Sequence, residues 1–418
     1  MRRDAMTTIW RMMVLLLALV AGSAVAAPLP LHRGVNIHQW LNWSPLAADG
    51  SYRWPPYQSV ADWLAGGRSA SDWPASDPFT DIRALGFDYV RLTVDPGPLL
   101  ATEGERRQEA LAVLADAVTK LLGADLRVVL NLHSVSQVPQ YSMDVVNGPA
   151  GSDAIAGYIA MVADVARILA PFGNDRVAIE PYNEPAHYPC DASGSEDWQQ
   201  IMTATVAAVR AVSTELTIVA TGGCGGSITG LTDIRPGFDD PNILYSFHMY
   251  EPHSFTHQRA DRESDFASGL PWPASSGSAE LTVEMLKAHM MAAGLSEAEQ
   301  ARNLSAVGGA IDEYFAENWD EARLKARVGE AVDWAKANAI PPERLFMGEF
   351  GVILMTPDGR MGAFNSDRLR YLTTLRQTAE ANGIPWAIWE YANPYGMSVI
   401  EPTGPAVPDR EMLGALGL

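Results

Sequence analysis

The chain has 418 residues, 47% of them hydrophobic and 19% charged, a length and balance that support a large core and exclude intrinsic disorder and collagen-like repeats. Its 30 basic residues stand against 50 acidic ones, a net charge of −20. So acidic a surface repels phosphate backbones and anionic membranes, which excludes nucleic acid as a partner and directs attention to a neutral substrate.

The N-terminus reads as an export signal. Arg2, Arg3 and Arg11 flank the start of an apolar run over 12–20, and Ala24-Val25-Ala26 gives the small-x-small pattern of signal peptidase. The run is too short to span a bilayer and stay there. A cut after Ala26 is expected, leaving 27–418 as one catalytic domain, secreted or periplasmic and without stable membrane anchoring. No later stretch approaches 18 apolar residues, and neither an appended binding module nor an obligate protein partner is evident. Cys190 and Cys224 are the two cysteines. In an oxidising compartment they are candidates for one disulfide, two unpaired thiols being the alternative.

Along the chain, short β-branched apolar runs alternate with longer helical patterns. Strands are expected at 34–38, 89–94, 127–132, 177–182, 216–221, 243–249, 345–350 and 386–391, near-continuously apolar as in parallel strands buried on both faces. Helices are expected at 105–122, 153–170, 196–213, 321–337 and 367–382. The first of these places Leu111, Leu114, Val118 and Leu122 on one face. The pattern implies an α/β fold, a (β/α)8 TIM barrel, with a long loop at 51–78 after strand 1. A partly helical insertion at about 251–320 follows strand 6, helical from 280 to 318.

Chemistry in such a barrel sits where the strands end. Those ends carry Arg91, His133, Asn183 with Glu184, His248 with Tyr250, Glu349 and Trp389. Polar residues at one edge of an apolar barrel suggest a shared site, since burying them singly is costly. Glu184 and Glu349 form a carboxylate pair of the kind glycoside hydrolysis needs, one protonated to serve the leaving oxygen and one ionised.

Ile-Glu-Pro-Tyr-Asn-Glu-Pro at 179–185 and Met-Gly-Glu-Phe-Gly at 347–351 resemble the two active-site signatures of glycoside hydrolase family 5, the retaining cellulase-type enzymes. The resemblance runs from about Arg33 to Trp389 and includes the whole ordered set of strand-end residues. It implies Glu184 as acid/base and Glu349 as nucleophile, with Asn183 bonding the sugar 2-hydroxyl. Arg91 and Tyr250 would orient Glu349, the arginine keeping its pKa low. His133 and His248 would line the same subsite, and Trp389 would lie beneath the reacting sugar. The carboxyls of a retaining pair lie about 5–5.5 Å apart.

Blander readings accompany each residue. Arg91 could be a structural arginine paired with a neighbouring carboxylate, and His133 and His248 satisfied core histidines. His248, His253 and His257 lack a zinc-ligand pattern, so no metal is expected, nor any other cofactor. Gly222–Gly226 with Cys224 matches neither phosphate-binding fingerprint and reads as a flexible loop. Among Trp40, Trp43, Trp54, Trp73 and Trp272, one or two should face substrate; Trp40 is the first choice, with His38 a weaker candidate for the same floor. The expected function is hydrolysis of a neutral β-glycan, endo-β-1,4-glucanase first, with β-1,3-glucanase or mannanase as alternatives within the family. An inactive carbohydrate-binding barrel is the alternative from another class.

Overall fold

Eight parallel strands close into a barrel in chain order: β1 (Arg33–Leu41), β2 (Tyr89–Val94), β3 (Arg127–Leu132), β4 (Val177–Glu180), β5 (Thr217–Thr221), β6 (Ile243–His248), β7 (Leu345–Phe350) and β8 (Trp386–Ile388). The computed structural model describes residues 27–418 except 67, 136, 143–147, 187–195, 237, 239, 259–267, 357–361, 394–395 and 402–403. The expected export signal and Cys190 lie outside the described residues. Helices α1 (Pro78–Ala84), α2 (Gly104–Gly123), α3 (Asp153–Leu169), α4 (Asp197–Arg210) and α5 (Ile228–Asp233) follow the first five strands. After β6 come α6 (Ala279–Ala292), α7 (Glu297–Glu317) and α8 (Glu321–Ala337), then α9 (Asn365–Ala381) and α10 (Arg410–Leu416) behind the last two. The fold is a (β/α)8 barrel.

Inside the barrel, the two-residue period of the strands sorts side chains into layers. The lowest is apolar: Tyr89, Val129, Ala178, Val219, Leu244, Phe346 and Ala387 pack together with Leu29 and Leu31 of the incoming chain. Leu29 N–H donates to Thr217 Oγ1 at the base of β5, which seats this segment at the barrel's N-terminal end. Two residues further along the same strands the interior is polar, with Asn36, Arg91, Asn131, Glu180, Thr221 and Ser246 all buried. Alternate positions such as Val90, Leu92, Val128 and Ile179 join the helices in the larger apolar core. The strands are therefore not uniformly apolar as the sequence suggests. They are apolar outward and below, and polar at mid-height.

Several boundaries shift for local reasons. β4 stops at Glu180, short of Tyr182, because Pro181 has no N–H to continue the ladder. The insertion helix divides at Gly294 (φ +75°), and α7 restarts on Ser296, whose capping box with Glu299 satisfies its first turn. The 51–78 segment is not all loop: Val60–Ala65 is helical, capped by Ser59, and buries Trp63. The segment Asp153–Phe172, of mean hydropathy 1.6, is long and apolar enough to cross a membrane, contrary to the sequence reading. Here its Tyr158, Met161, Val162 and Val165 pack in the barrel core.

Gly34 is required by packing: a Cβ there would stand 2.2 Å from the Tyr89 ring. Gly34→Ala should therefore lower stability by about 1–3 kcal/mol through overpacking. Denaturant unfolding of Gly34→Ala in wild-type and Tyr89→Leu backgrounds should show a smaller loss in the second; equal losses would remove the Tyr89 ring as the cause.

Candidate active site

Arg91 stands at the centre of the polar layer, fully buried, and divides its donors among four partners. Nε donates to Glu180 Oε2 (2.6 Å), Nη1 to Glu349 Oε1 (2.6 Å) and Asn36 Oδ1 (2.9 Å), and Nη2 to Asn183 Oδ1 (2.7 Å). These charge-assisted bonds hold groups from β1, β4 and β7 in one plane of the barrel. The arginine bond also orients the Asn183 amide, leaving its Nδ2 to donate to His133 Nε2 (3.3 Å). His133 consequently carries its hydrogen on Nδ1, which donates to Asn131 Oδ1 (3.1 Å).

His248 repeats this logic on β6. Its Nε2 lies 3.5 Å from Arg91 Nη2, which can only donate, so the ring hydrogen sits on Nδ1. Nδ1 lies 2.7 Å from Glu184 Oε1 and 3.6 Å from Glu349 Oε2, between the two carboxyls. Tyr250 Oη donates to Glu349 Oε2 (3.0 Å). Burial lowers the pKa of both His133 and His248, with Arg91 acting the same way, so both rings are neutral near pH 7.

The two carboxyls differ in surroundings. Glu349 is 5% exposed and takes donors from both Arg91 and Tyr250, whereas Glu184 is 34% exposed and opens to the cleft. Low-dielectric surroundings push Glu184 up to about 7, against weaker pulls from Arg91 and His253. Burial also raises Glu349, opposed by His248 and Arg91. The expectation that the arginine holds Glu349 low is thus corrected: Arg91 is shared with Glu180, and desolvation outweighs what remains. Oxygens of Glu184 and Glu349 and a nitrogen of His248 all lie within 4.8 Å of one another. By distance alone this trio could ligate a cation. Arg91 already holds its positive charge against Glu349 Oε1, however, and a metal ion there would face a buried guanidinium.

All the strand-end residues named from the sequence converge here. Trp389 is partly exposed, with His38 at 4.7 Å and His133 at 5.8 Å between ring centroids. Trp40 does not join them. It is 3% exposed, packs on Trp63 and Phe79, and donates Nε1 to Gln58 O. Trp272 is wholly buried. Trp43 is the exposed indole of the set, 39% accessible, with Nε1 donating to His38 Nε2.

The glycine run is no loose loop. Cys224, Gly225 and Gly226 take φ values of 55°, 64° and 68°, and Gly225 N–H donates to Pro185 O (2.9 Å). A Cβ on Gly226 would lie 3.5 Å from Glu184 Cγ. Cys224 is disulfide-bonded. Glu180 and Asn36, both on Arg91, were not singled out in the sequence. The signal was present in Glu180, a lone carboxylate in an apolar run.

The family described as cellulase, glycosyl hydrolase family 5, matches residues 63–394. Endoglucanase 3 of Fibrobacter succinogenes is 28% identical over 342 residues, which cover 77% of this chain and 47% of that protein. Endoglucanase C of Acetivibrio thermocellus is 28% identical over 186 residues, 43% of this chain and 51% of the relative. The chain thus spans about half the length of these curated relatives. Among solved structures, a hyperthermophilic endo-β-1,4-glucanase with bound substrate shares the fold at TM-score 0.60 and 20% identity, over 93% of this chain and 97% of that one. Thermotoga maritima Cel5A with cellobiose does so at 0.60 and 18%, over the same shares.

Removing one partner of a buried ion pair leaves the other uncompensated, so Glu180→Ala should cost about 3–5 kcal/mol. Glu180→Gln, which keeps an oxygen for Arg91 Nε, should lose less. Urea midpoints measure both, and an Ala variant as stable as wild type would show that Arg91 does not need this partner.

Proposed function

The chain belongs to the cellulase family, glycosyl hydrolase family 5, and from that membership we propose that it is an exported, retaining endo-β-1,4-glucanase with Glu184 as acid/base and Glu349 as nucleophile. The observation that carries the reading is the pair itself. A carboxyl oxygen of Glu184, just past β4, and one of Glu349, in β7, lie within 4.8 Å of each other, which supports the close pairing, about 5–5.5 Å between carboxyls, of double displacement. The endoglucanase names of the relatives support the choice of substrate.

In the first step a carboxylate oxygen of Glu349 attacks the anomeric carbon as the bond to the leaving sugar breaks, and Glu184 gives its proton to the departing oxygen. A covalent glycosyl-enzyme results. In the second, Glu184 takes a proton from water, the hydroxyl adds to the anomeric carbon, and Glu349 leaves with the original configuration restored. Arg91 and Tyr250 fix the attacking group from two sides. Asn183, oriented through Arg91 and His133, is placed to bond the 2-hydroxyl, and Trp389 offers an apolar face to the sugar ring. Trp43 is the candidate for an adjoining sugar in place of Trp40.

Product analysis on carboxymethylcellulose, mixed-linkage β-glucan, laminarin, glucomannan and xyloglucan, beside Glu349→Ala, tests the reading. Cleavage of the β-1,4-linked polymers in mid-chain, absent in the variant, is expected. Exclusive cleavage of laminarin or glucomannan would move the assignment to β-1,3-glucanase or mannanase, and an active Glu349→Ala would end its role as nucleophile.

Glu184→Ala should lose about 10²–10⁴-fold on natural substrates and far less on activated aryl glycosides, which need no proton. Similar losses on both would remove the acid assignment. The pH profile follows from the same group. Glu184 must be protonated to act, so kcat/KM should fall as pH rises through about 7. An alkaline limb unchanged in Glu184→Gln would mean that another group sets it.

A further inference from the structure

Helix α8 carries an arginine whose donors are committed as widely as those of Arg91, but outside the ring of strands. Arg327 donates from Nε and Nη2 to the two oxygens of Glu251 (2.6 and 2.9 Å), from Nη2 also to Thr229 Oγ1 (2.8 Å), and from Nη1 to Glu330. Its side chain is 16% exposed. The fork grips two segments at once: Glu251, three residues past the end of β6, and Thr229, in the first turn of α5 after β5.

Each segment leads by direct contacts to one of the two carboxyls. On the β6 side, Thr256 Oγ1 donates to Tyr250 O (2.6 Å) and Tyr371 Oη to Glu251 O (2.8 Å). A backbone tied at successive carbonyls moves as one piece, and it ends in Tyr250 Oη on Glu349 Oε2 (3.0 Å). On the β5 side, Gly230 follows Thr229 and has no room for a side chain. A Cβ there would stand 1.9 Å from Gly223 O, and one on Gly222 would stand 2.2 Å from the Gly230 carbonyl carbon. Helix α5 thus rests directly on the glycine run. That run reaches the proton donor twice, through Gly225 N–H on Pro185 O (2.9 Å) and through Gly226, where a Cβ would lie 3.5 Å from Glu184 Cγ.

We propose that Arg327 is a positioning residue for the reaction, one fork fixing the supports of both carboxyls: its Glu251 arm holds Tyr250 against Glu349, and its Thr229 arm holds the glycine run against Glu184. The proposal rests on the roles given above to the two glutamates. A lysine would serve one arm at most, because an ammonium lacks the planar donors that meet both oxygens of Glu251 and still reach Thr229. Glu349 faces Arg91, His248, Tyr250 and Glu184, and Glu184 faces His248, Arg91 and His253. Losing the Tyr250 hydroxyl would raise the pKa of Glu349, since that donor favours the charged form. Loosening the glycine run would admit water to Glu184 and lower its pKa. Glu349 must be ionised and Glu184 protonated, so the two arms act on opposite limbs of the pH profile.

The test is kcat, KM and the pH dependence of kcat/KM on the polymer cleaved by the wild type, for Arg327→Ala, Arg327→Lys, Glu251→Ala and Thr229→Val. Arg327→Ala should lose about tenfold in kcat with KM within about twofold. Both limbs should move inward by about half a pH unit. Glu251→Ala should move the acid limb alone and Thr229→Val the alkaline limb alone, with Arg327→Lys between wild type and Arg327→Ala. The single-arm changes lie at half-buried and exposed positions, so they decide the matter if Arg327→Ala does not fold. A lower kcat with both limbs in place would mean a structural role only and would overturn the proposal, as would wild-type behaviour in all four. Limbs that move together in both single-arm variants would overturn it too. A wild type inactive on every polymer would instead overturn the glycosidase reading, and the positioning role with it.

Discussion

The arrangement of the site depends on one buried cation. Arg91 is removed from water in the middle of the barrel, a position tolerable only because four acceptors surround it, three on β1, β4 and β7 and the fourth, Asn183, just past β4. The geometry suits arginine and not lysine. A planar fork presents Nε, Nη1 and Nη2 to different walls at once, whereas an ammonium would satisfy one or two of them and leave a carboxylate stranded. Each partner is fixed in turn. Asn183 is oriented by the fork and passes that orientation to His133, and His248 has its tautomer set by the same guanidinium. The order of the site is therefore propagated outward from the barrel's mid-height.

That arrangement also accounts for two like carboxyls behaving differently. Both are lifted by low-dielectric surroundings, but only Glu349 receives compensating donors from two sides. Glu184 takes one close donor, the Nδ1–H of His248, and opens to the cleft, so less around it favours its charged form. Glu180 has a part in this contrast. By occupying Arg91 Nε it takes a share of the buried guanidinium's charge, so Glu349 is held in place while burial still raises its pKa.

The sequence made the barrel and the cluster at its strand ends legible because both rest on short-range signals. Apolar runs mark the strands, and a polar residue where each run stops marks the site. What escaped it depends on register and packing. Glu180 lies inside a run that reads as apolar, and only the alternation of the closed barrel turns it inward onto Arg91. Trp40 was misassigned for a related reason. The pairing of β1 with β2 shifts register between Ile37 and Leu41, so counting alternate residues from His38 no longer tells which side faces the cleft. Trp40 turns into the apolar layer under Trp63, and the chain returns Trp43 to His38 instead. Arg91 itself fits both readings offered for it, structural ion pair and orienting residue, because it has donors enough for both.

The strands and the insertion after β6 stand in different relations to the candidate site. The groups of the candidate site lie at or just beyond the strand ends and are tied through the barrel interior, where a shift of one residue would misplace the whole polar layer. The insertion after β6 meets this machinery at Glu251, where the Arg327 clamp and the Tyr371 hydroxyl, which donates to Glu251 O, hold the exit from the strand. The Arg327–Glu251 clamp thus ties α8 to the chain one residue past Tyr250, whose hydroxyl reaches Glu349.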